Sequence, residues 1–468
     1  LNTQVTLCYK FLLKNKMQLT TNKIRLVFCA SSLLIANVTQ ATPKDSLKRY
    51  MGSRWSFHFQ LTTIDQYHGT FNAPYSGKNS LQDTTEQDMS LTTTIFLGYR
   101  LWRYGTFYIN PEISGGKGFS GTTGMAGFPN GEIYRVGNPA PAAYIARAYY
   151  QQSFALHGAH DTLLTDDQNQ VTQYLPTKRI TLSAGKFSLA DFYDNNPYSH
   201  DARSQFMNWS LMDNTSWDYP ANTRGYDYGI VLQIIEPKWY TTLSDALEPT
   251  YANGPVMDTH FTKTFGLTLE SGFIYKVKDR TGGLSVLFYM NQNRAPYYEQ
   301  AIAAYEAGAI NALNVDNATA YNGDKKYGIG VNFNHPLGEY IGFFFRAGWN
   351  DGKTASWVFD EVDQTLTPGF SFDGSMWKRE GDNFGIAFIA NGISKEHIAF
   401  ENAGGYGFII GDGKLPNYKP EEIIETYYQF KFLEHLFFAP DYQYVVNPAF
   451  NADRGPVSIY SIRVHFEF

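Results

Sequence analysis

The sequence predicts an all-β fold: a closed antiparallel transmembrane β-barrel of approximately sixteen strands, with long outer loops and the third of them folded into the lumen. Three observations carry that prediction. Aromatic residues make up 16% of the 468-residue chain, with 35 Phe, 34 Tyr and 41 Gly, a composition that favours strands and turns. Mean hydropathy is −0.34, and after one apolar run near the N-terminus no segment approaches the roughly 20 apolar residues that a membrane-crossing helix needs. The last twelve residues alternate, with Ser458, Tyr460, Ile462, Val464, Phe466 and Phe468 on one face and Ser461, Arg463, His465 and Glu467 on the other.

Taken in chain order, residues 1–41 read as a secretory signal segment. Lys23 and Arg25 precede an apolar stretch from Leu26 to Val38, Thr39, Gln40 and Ala41 supply a cleavage site, and Met17 is a candidate true start. Cys29 lies inside the apolar stretch behind bulky Phe28, which argues against a lipoprotein signal. Residues 42–53 follow as a periplasmic lead, and 54–468 as an outer-membrane barrel. Cys8 and Cys29 both leave with the signal, so disulfides, thiolate metal sites and cysteine catalysis are excluded from the mature form. The formal charge of −6 becomes −11 once the five basic residues before Thr42 depart, which excludes a nucleic-acid binder.

Period-two segments place strand centres near Phe57, Ile95, Phe107, Tyr149, Leu182, Leu232, Tyr240, Leu267, Leu287, Ile329, Phe344, Ile386, Phe408, Tyr428, Tyr442 and Ile462. In Tyr340–Asn350, for example, Ile341, Phe343, Phe345, Ala347 and Trp349 oppose Arg346. A soluble core rarely accepts an Arg at the centre of several strands, since an unpaired buried charge costs several kcal/mol, whereas a wet lumen accepts it readily. Short links such as Arg100–Gly105, His335–Glu339 and Phe432–His435 alternate with long ones, as periplasmic turns alternate with outer loops. His157–Lys178 breaks the alternation, reading either as a small appended helix or as a fault in the strand assignment.

The longest link, Ser188–Asp227, is the third outward loop and holds the candidate site. Asp191, Asp201, Asp218, Arg203 and Arg224 offer partners for hydroxyl groups, and Trp209 and Trp217 offer flat apolar faces. Arg147, Arg346 and Arg463 point into the lumen by strand parity and add to its field, with Arg463 nearer the exit. The alternative is structural: Asp and Asn are ordinary turn residues, and Asp–Arg pairs also pin a loop to a wall. The ten histidines lack ligand spacing, so no metal, cofactor or catalytic residue is assigned. Gly115–Gly131 lacks the ending of a phosphate loop and reads as a flexible outer loop, while Pro296–Asn314 reads as a short helix in another.

Several stretches are specific enough to carry a resemblance: YINPE (Tyr108–Glu112), GKFSLADFYDNN (Gly185–Asn196), QFMNWSLM (Gln205–Met212), WDYPANTRGY (Trp217–Tyr226) and PDYQYVVNPAFNADRGPV (Pro440–Val457) before the terminal SIRVHFEF. Over roughly Phe57–Phe468 the chain resembles the carbohydrate-selective porins of the OprB type found in Gram-negative outer membranes. The resemblance implies a sixteen-stranded barrel that passes small sugars by facilitated diffusion, past polar and basic side chains at its narrowest point. The expected partners are small sugars, outer-membrane lipid and the barrel-assembly machinery, the last through the strand ending in Phe468. Monomer and homotrimer both stay open. Rival readings are a non-selective or anion-preferring porin, an exported carbohydrate-active β-fold enzyme using third-loop carboxylates as acid and base, and a surface adhesin.

Overall fold

The computed structural model describes residues 54–134, 139–316 and 325–468. The signal segment and the lead over 42–53 lie outside the described residues. Among the described residues eighteen strands are present: β1 (Trp55–His68), β2 (Glu86–Trp102), β3 (Gly105–Gly116), β4 (Ala142–Ala155), β5 (Asp161–Leu164), β6 (Gln173–Pro176), β7 (Arg179–Phe187), β8 (Asp227–Glu236) and β9 (Trp239–Ala246) in the first half. The second half holds β10 (Phe265–Val277), β11 (Arg280–Gln292), β12 (Lys325–Pro336), β13 (Ile341–Asn350), β14 (Gln364–Asp373), β15 (Asn383–Gly392), β16 (Glu421–Leu433), β17 (Leu436–Val446) and β18 (Val457–Glu467). Sixteen of them close into one antiparallel ring in chain order, with β1 paired to β18, while β5 and β6 form a separate hairpin. Closure leaves no free edge strand, so the wall's backbone ladders run right round the ring without relying on water.

The alternation read from the sequence is the alternation of the wall. On β18, Tyr460 and Ile462 are 55% and 46% exposed on the outer face, while Arg463 on the inner face is 1% exposed. Fifteen of the sixteen predicted centres fall in ring strands. The exception is Phe408, which lies in a loop and is buried. The sixteenth strand is β14, which the sequence hides because Pro368 and Gly369 interrupt its middle. His157–Lys178 is neither a helix nor a misassigned wall strand: it carries the β5–β6 hairpin at the end of the barrel where the short turns lie.

Eight connections leave the other end, L1 (69–85), L2 (117–141), L3 (188–226), L4 (247–264), L5 (293–324), L6 (351–363), L7 (393–420) and L8 (447–456). Among the described residues three short α-helices lie in them: α1 (Trp209–Met212) in L3, α2 (Tyr298–Glu306) in L5, as its composition predicts, and α3 (Lys395–Asn402) in L7.

The hydrophobic core sits inside the ring, because L3 crosses the lumen. At one wall the Tyr193 hydroxyl donates to the Thr268 carbonyl of β10 (3.1 Å) and Asn196 Nδ2 to Asn332 of β12 (2.7 Å). Further round the ring the Met207 and Asn208 amides donate to Glu425 of β16 (2.5 and 3.1 Å), and Asn208 Nδ2 to Gln443 of β17 (2.9 Å). Phe206 packs between Phe344 and Tyr427, with ring centroids 5.5 and 4.9 Å away. Edge contacts of this kind add roughly 0.5–1.5 kcal/mol beyond the area they bury. L2 is not a flexible outer loop: Phe119, Met125, Ala126 and Phe128 are fully buried, and the Ala126 and Gly127 amides donate to Glu421 of β16 (3.2 and 2.6 Å). Phe408 is held the same way, its amide and those of Ile409 and Ile410 donating to Glu361 of L6 (3.2, 2.8 and 2.7 Å).

Candidate functional site

The inserted loops fill the lumen on the side of β10 to β17 and leave it open beside β2, β3 and β4. There a chamber of about 420 Å³ is lined by Glu112 and Ser114 of β3, Tyr144 and Arg147 of β4, Glu132 and Tyr134 of L2, and Asp191, Asp201, Arg203, Trp209, Asp213 and Arg224 of L3. It extends to Gln168 and Asn169 of the β5–β6 hairpin and to His465 and Glu467 at the end of β18.

The chamber's charge is arranged around two carboxylates absent from the sequence-derived site, Glu112 of β3 and Glu132 of L2. Glu112 accepts from Thr94 Oγ1 (2.6 Å), the Tyr144 hydroxyl (2.5 Å) and the Tyr226 hydroxyl (3.0 Å), and lies 3.5 Å from Arg203 Nη2. Glu132 accepts from Arg203 Nε (2.9 Å) and from the Thr92 hydroxyl. Arg203 thus bridges the wall and L2. Its guanidinium is pushed further above its ordinary range: burial opposes the charge, but Glu132 and Glu112 outweigh that cost. A signal for Glu112 exists in the sequence, because it shares inward parity with Tyr108 and Asn110 in the YINPE stretch. Glu132 carries none, since loop residues have no parity.

Arg147 donates to both oxygens of Asp191, from Nε at 2.7 Å and from Nη2 at 2.5 Å, a two-point pairing that fixes L3 to β4. Asp191 also accepts from the Ser188 amide (3.2 Å), so it caps its own turn. Asp201 accepts from the Arg203 amide (2.9 Å) and Ser204 Oγ (2.7 Å). The surrounding protein disfavours its charge, yet Arg203 and these bonds hold the carboxyl below the usual range. Arg224 lies over Tyr144, 4.1 Å from the ring centroid, and 5.4 Å from that of Tyr134, while Arg147 lies 5.2 Å from that of Tyr226. Guanidinium planes over tyrosine faces are held by cation–π attraction, of order 0.5–2 kcal/mol.

Asp191, Asp201, Arg203, Trp209 and Arg224 of L3 therefore meet in one chamber, joined by Arg147 from the wall. Trp217 and Asp218 lie outside its lining. Trp217 is 1% exposed and packs on Tyr193 and Tyr219. Asp218 accepts from the amides of Trp357, Val358 and Phe359 (2.9, 2.8 and 3.1 Å), with Lys326 Nζ at 3.8 Å, and so holds L6 to L3.

Arg346 and Arg463 point inward as parity implies, but into protein. Arg346 donates to Asp194 (2.7 Å), to the Ser199 hydroxyl (3.2 Å) and to the carbonyls of Ser199, Leu211 and Met212. Arg463 donates to the carbonyls of Ala202 and Gln205 (2.7 and 2.6 Å) and to Gln429 (2.9 Å). Both serve to hold L3. Among the described residues no group of three or more His, Cys, Asp or Glu is arranged to hold a metal ion.

A family profile described as "Carbohydrate-selective porin, OprB family" matches residues 83–468. Curated relatives include "Porin AaxA" of Chlamydia caviae, 23% identical over 307 residues, 63% of this chain and 55% of that protein, and its namesake from Chlamydia abortus, 23% identical over 311 residues, 64% and 57%. The chain thus spans little more than half the length of these relatives. Among solved structures, the high-pH form of Pseudomonas putida OprB aligns with a TM-score of 0.68 at 14% identity, covering 90% of this chain and 96% of that one. That likeness is one of fold: a closed sixteen-stranded barrel with long loops at one end.

Proposed function

The chain belongs to the OprB family of carbohydrate-selective porins, and from that premise we propose that it passes small sugars across the outer membrane by facilitated diffusion through the chamber beside β2–β4. Its barrel is a transport architecture of the Gram-negative outer membrane, with lipid against the exposed aromatic and aliphatic face of the wall. The ring sets the width, and L3 sets the selectivity.

The observation that carries the sugar reading is the mixture of surfaces in one passage. Tyr134, Tyr144, Tyr226 and Trp209 present flat faces beside Glu112, Glu132, Asp191, Arg147, Arg203 and Arg224. A pyranose has the complementary makeup: an apolar face of C–H groups and a rim of hydroxyls that both donate and accept. A sugar entering from L1–L8 sheds part of its water, lays its C–H face on a ring, and exchanges hydrogen bonds with carboxylates as acceptors and guanidiniums as donors. Because Arg147 and Arg203 are already paired with Asp191, Glu112 and Glu132, a sugar bonding to them replaces existing bonds rather than filling empty ones, so binding stays weak enough for release.

The same pairing argues against an anion-preferring pore, since Arg147, Arg203 and Arg224 face at least as many carboxylates. It also argues against acid–base catalysis by the third loop, whose Asp191, Asp194 and Asp218 are each engaged as anchors. In planar bilayers, sugars should block single-channel current in a concentration-dependent way, and Arg203→Ala or Arg224→Ala should weaken that block about tenfold, the loss of one or two charged hydrogen bonds. Unchanged block in both variants removes these residues from the site, and equal liposome permeability to sugars, amino acids and salts favours the non-selective reading.

A further inference from the structure

The β5–β6 hairpin is not needed to close the ring, yet its tip is built into the lumen with care. Residues 165–172 rise from the short-turn end between the wall and the chamber. The tip is rigid: Asp167 and Gln170 exchange both backbone bonds at 3.0 Å, Gln170 Nε2 donates to the Thr165 carbonyl (2.6 Å), and Asn169 takes the left-handed conformation (φ 51°) that such a tight reversal requires. It is also anchored on several sides. Asn110 Nδ2 of β3 donates to Asn169 Oδ1 (2.9 Å), Gln168 Nε2 donates to Glu467 of β18 (3.2 Å), Ser56 Oγ of β1 to the Asp167 carbonyl (3.4 Å), and Arg100 Nη1 of β2 to the Thr172 carbonyl (3.4 Å).

The wall makes room for it. Val171 is fully buried against β2, where a Cβ on Gly98 would come within 2.6 Å of Val171 Cγ2. A β-branched side chain cannot swing clear of such a clash, so Gly98 leaves the space that the tip occupies. What the tip presents to the passage is Gln168 and Asn169, which line the same chamber as Arg203 and Arg224, facing His465 and Glu467.

We propose that this hairpin forms a second, periplasmic-side filter in series with L3. Resting on the porin reading above, the inference assigns Gln168 and Asn169 as specificity-determining residues for the exit of the solute. Neutral amides offer one acceptor and two donors each and no charge, so they can exchange bonds with an uncharged hydroxylated solute as it leaves the charged chamber. The arginine and carboxylate belt and the amide exit thus work on the same solute in turn. A solute that carries net negative charge gains no partner of opposite sign at the amides, which stand beside Glu467.

The test is a cysteine at the tip. Gln168→Cys, reconstituted in planar bilayers, is treated with a trimethylammonium-bearing methanethiosulfonate, and the adduct is counted by mass. Unsubstituted protein, whose cysteines Cys8 and Cys29 precede the barrel, is treated in parallel. Complete modification should cut single-channel conductance by roughly half, because the adduct narrows a series resistance of the pore, and it should slow when a permeant sugar is present. Tyr174→Cys, on the hairpin but 61% exposed away from the chamber, should be modified without effect on current. Replacing residues 165–172 by Asn-Gly, the turn that joins Leu164 and Gln173 as a two-residue hairpin, should raise conductance roughly twofold and relax discrimination between neutral and anionic solutes. Complete modification at Gln168→Cys with unchanged current, or an equal effect at Tyr174→Cys, overturns the assignment. Protein that shows no channels before treatment overturns the porin reading, and this inference with it.

Discussion

Arg346 and Arg147 both project from the middle of wall strands into the lumen, yet their surroundings differ. The Arg346 side chain is 0% exposed and donates only into L3, to one carboxylate, one hydroxyl and four carbonyls. The Arg147 side chain is 13% exposed, grips Asp191 with two bonds and keeps Tyr226 under its plane at the edge of the chamber. Strand parity treats the two as equal, because it reports only that a side chain faces inward. What separates them is where L3 lies: over β10–β17 it displaces water and turns inward arginines into clamps, and over β2–β4 it stops short and leaves them beside the chamber.

The largest effect should come from breaking a clamp. Arg346→Met leaves the Asp194 carboxylate buried without its cation, a loss of about 3–5 kcal/mol for a broken buried pair. Release of L3 should then appear as larger single-channel conductance and rapid proteolysis within residues 188–226, with the barrel itself still folded. Arg147→Met should show neither, since L3 keeps its anchors at Arg346, Glu425 and Gln443. If both variants free the loop alike, the division into clamps and passage residues is wrong.

A smaller effect concerns the charge of the passage. Asp213 of L3 lines the chamber and is 2% exposed. Burial, with neighbouring Asp194, pushes its carboxyl up to about 6 against the lowering influence of His200 and Arg346. A carboxyl raised in this way favours the folded state most when protonated, so its stabilising contribution is complete below about 3.8 and is lost as pH rises through about 6. Between about pH 7 and pH 5 the chamber should therefore lose one negative charge and some cation preference. Reversal potentials across a salt gradient would register this step, and Asp213→Asn should remove it while leaving the clamp side unaffected. The smallest effect is expected from Arg224→Ala on thermal stability, about 0.5–1 kcal/mol from the lost stacking on Tyr144, despite its larger effect on sugar block.

The wall is legible in the sequence because alternation is imposed by the pleat itself and each strand states it independently. Two errors cancel in the strand count. Pro368 and Gly369 hide β14, whose ladder tolerates them because neighbouring pairs carry the register, as Phe345 opposite Pro368 shows. Phe408 imitates a strand because Phe408, Ile409 and Ile410 are apolar for a different purpose, filling the lumen under Glu361. The chamber is legible in part. Arg203 and Arg224 can be nominated from the length of L3 and from their charge, but from the same loop Trp217 is spent on packing L3 itself and Asp218 on holding L6, and nothing local distinguishes them. Glu132 and the hairpin tip reach the chamber only through the three-dimensional path of their loops, which a single sequence does not state.

The seam of the ring is where β1 meets β18 over nine residue pairs from Gln60–Glu467 to His68–Ile459, with Phe59 and Phe468 exchanging backbone bonds at 3.0 and 3.1 Å beyond it. These are the most distant partners in the chain, so their pairing carries the greatest loop-closure cost. Arg463, on the β18 side of this seam, reaches the carbonyls of Ala202 and Gln205 on L3. The crossing loop is therefore a brace for the seam as well as a filling for the lumen: it ties the strand that shuts the cylinder to the protein packed inside it, so the join is held from within as well as by its own ladder.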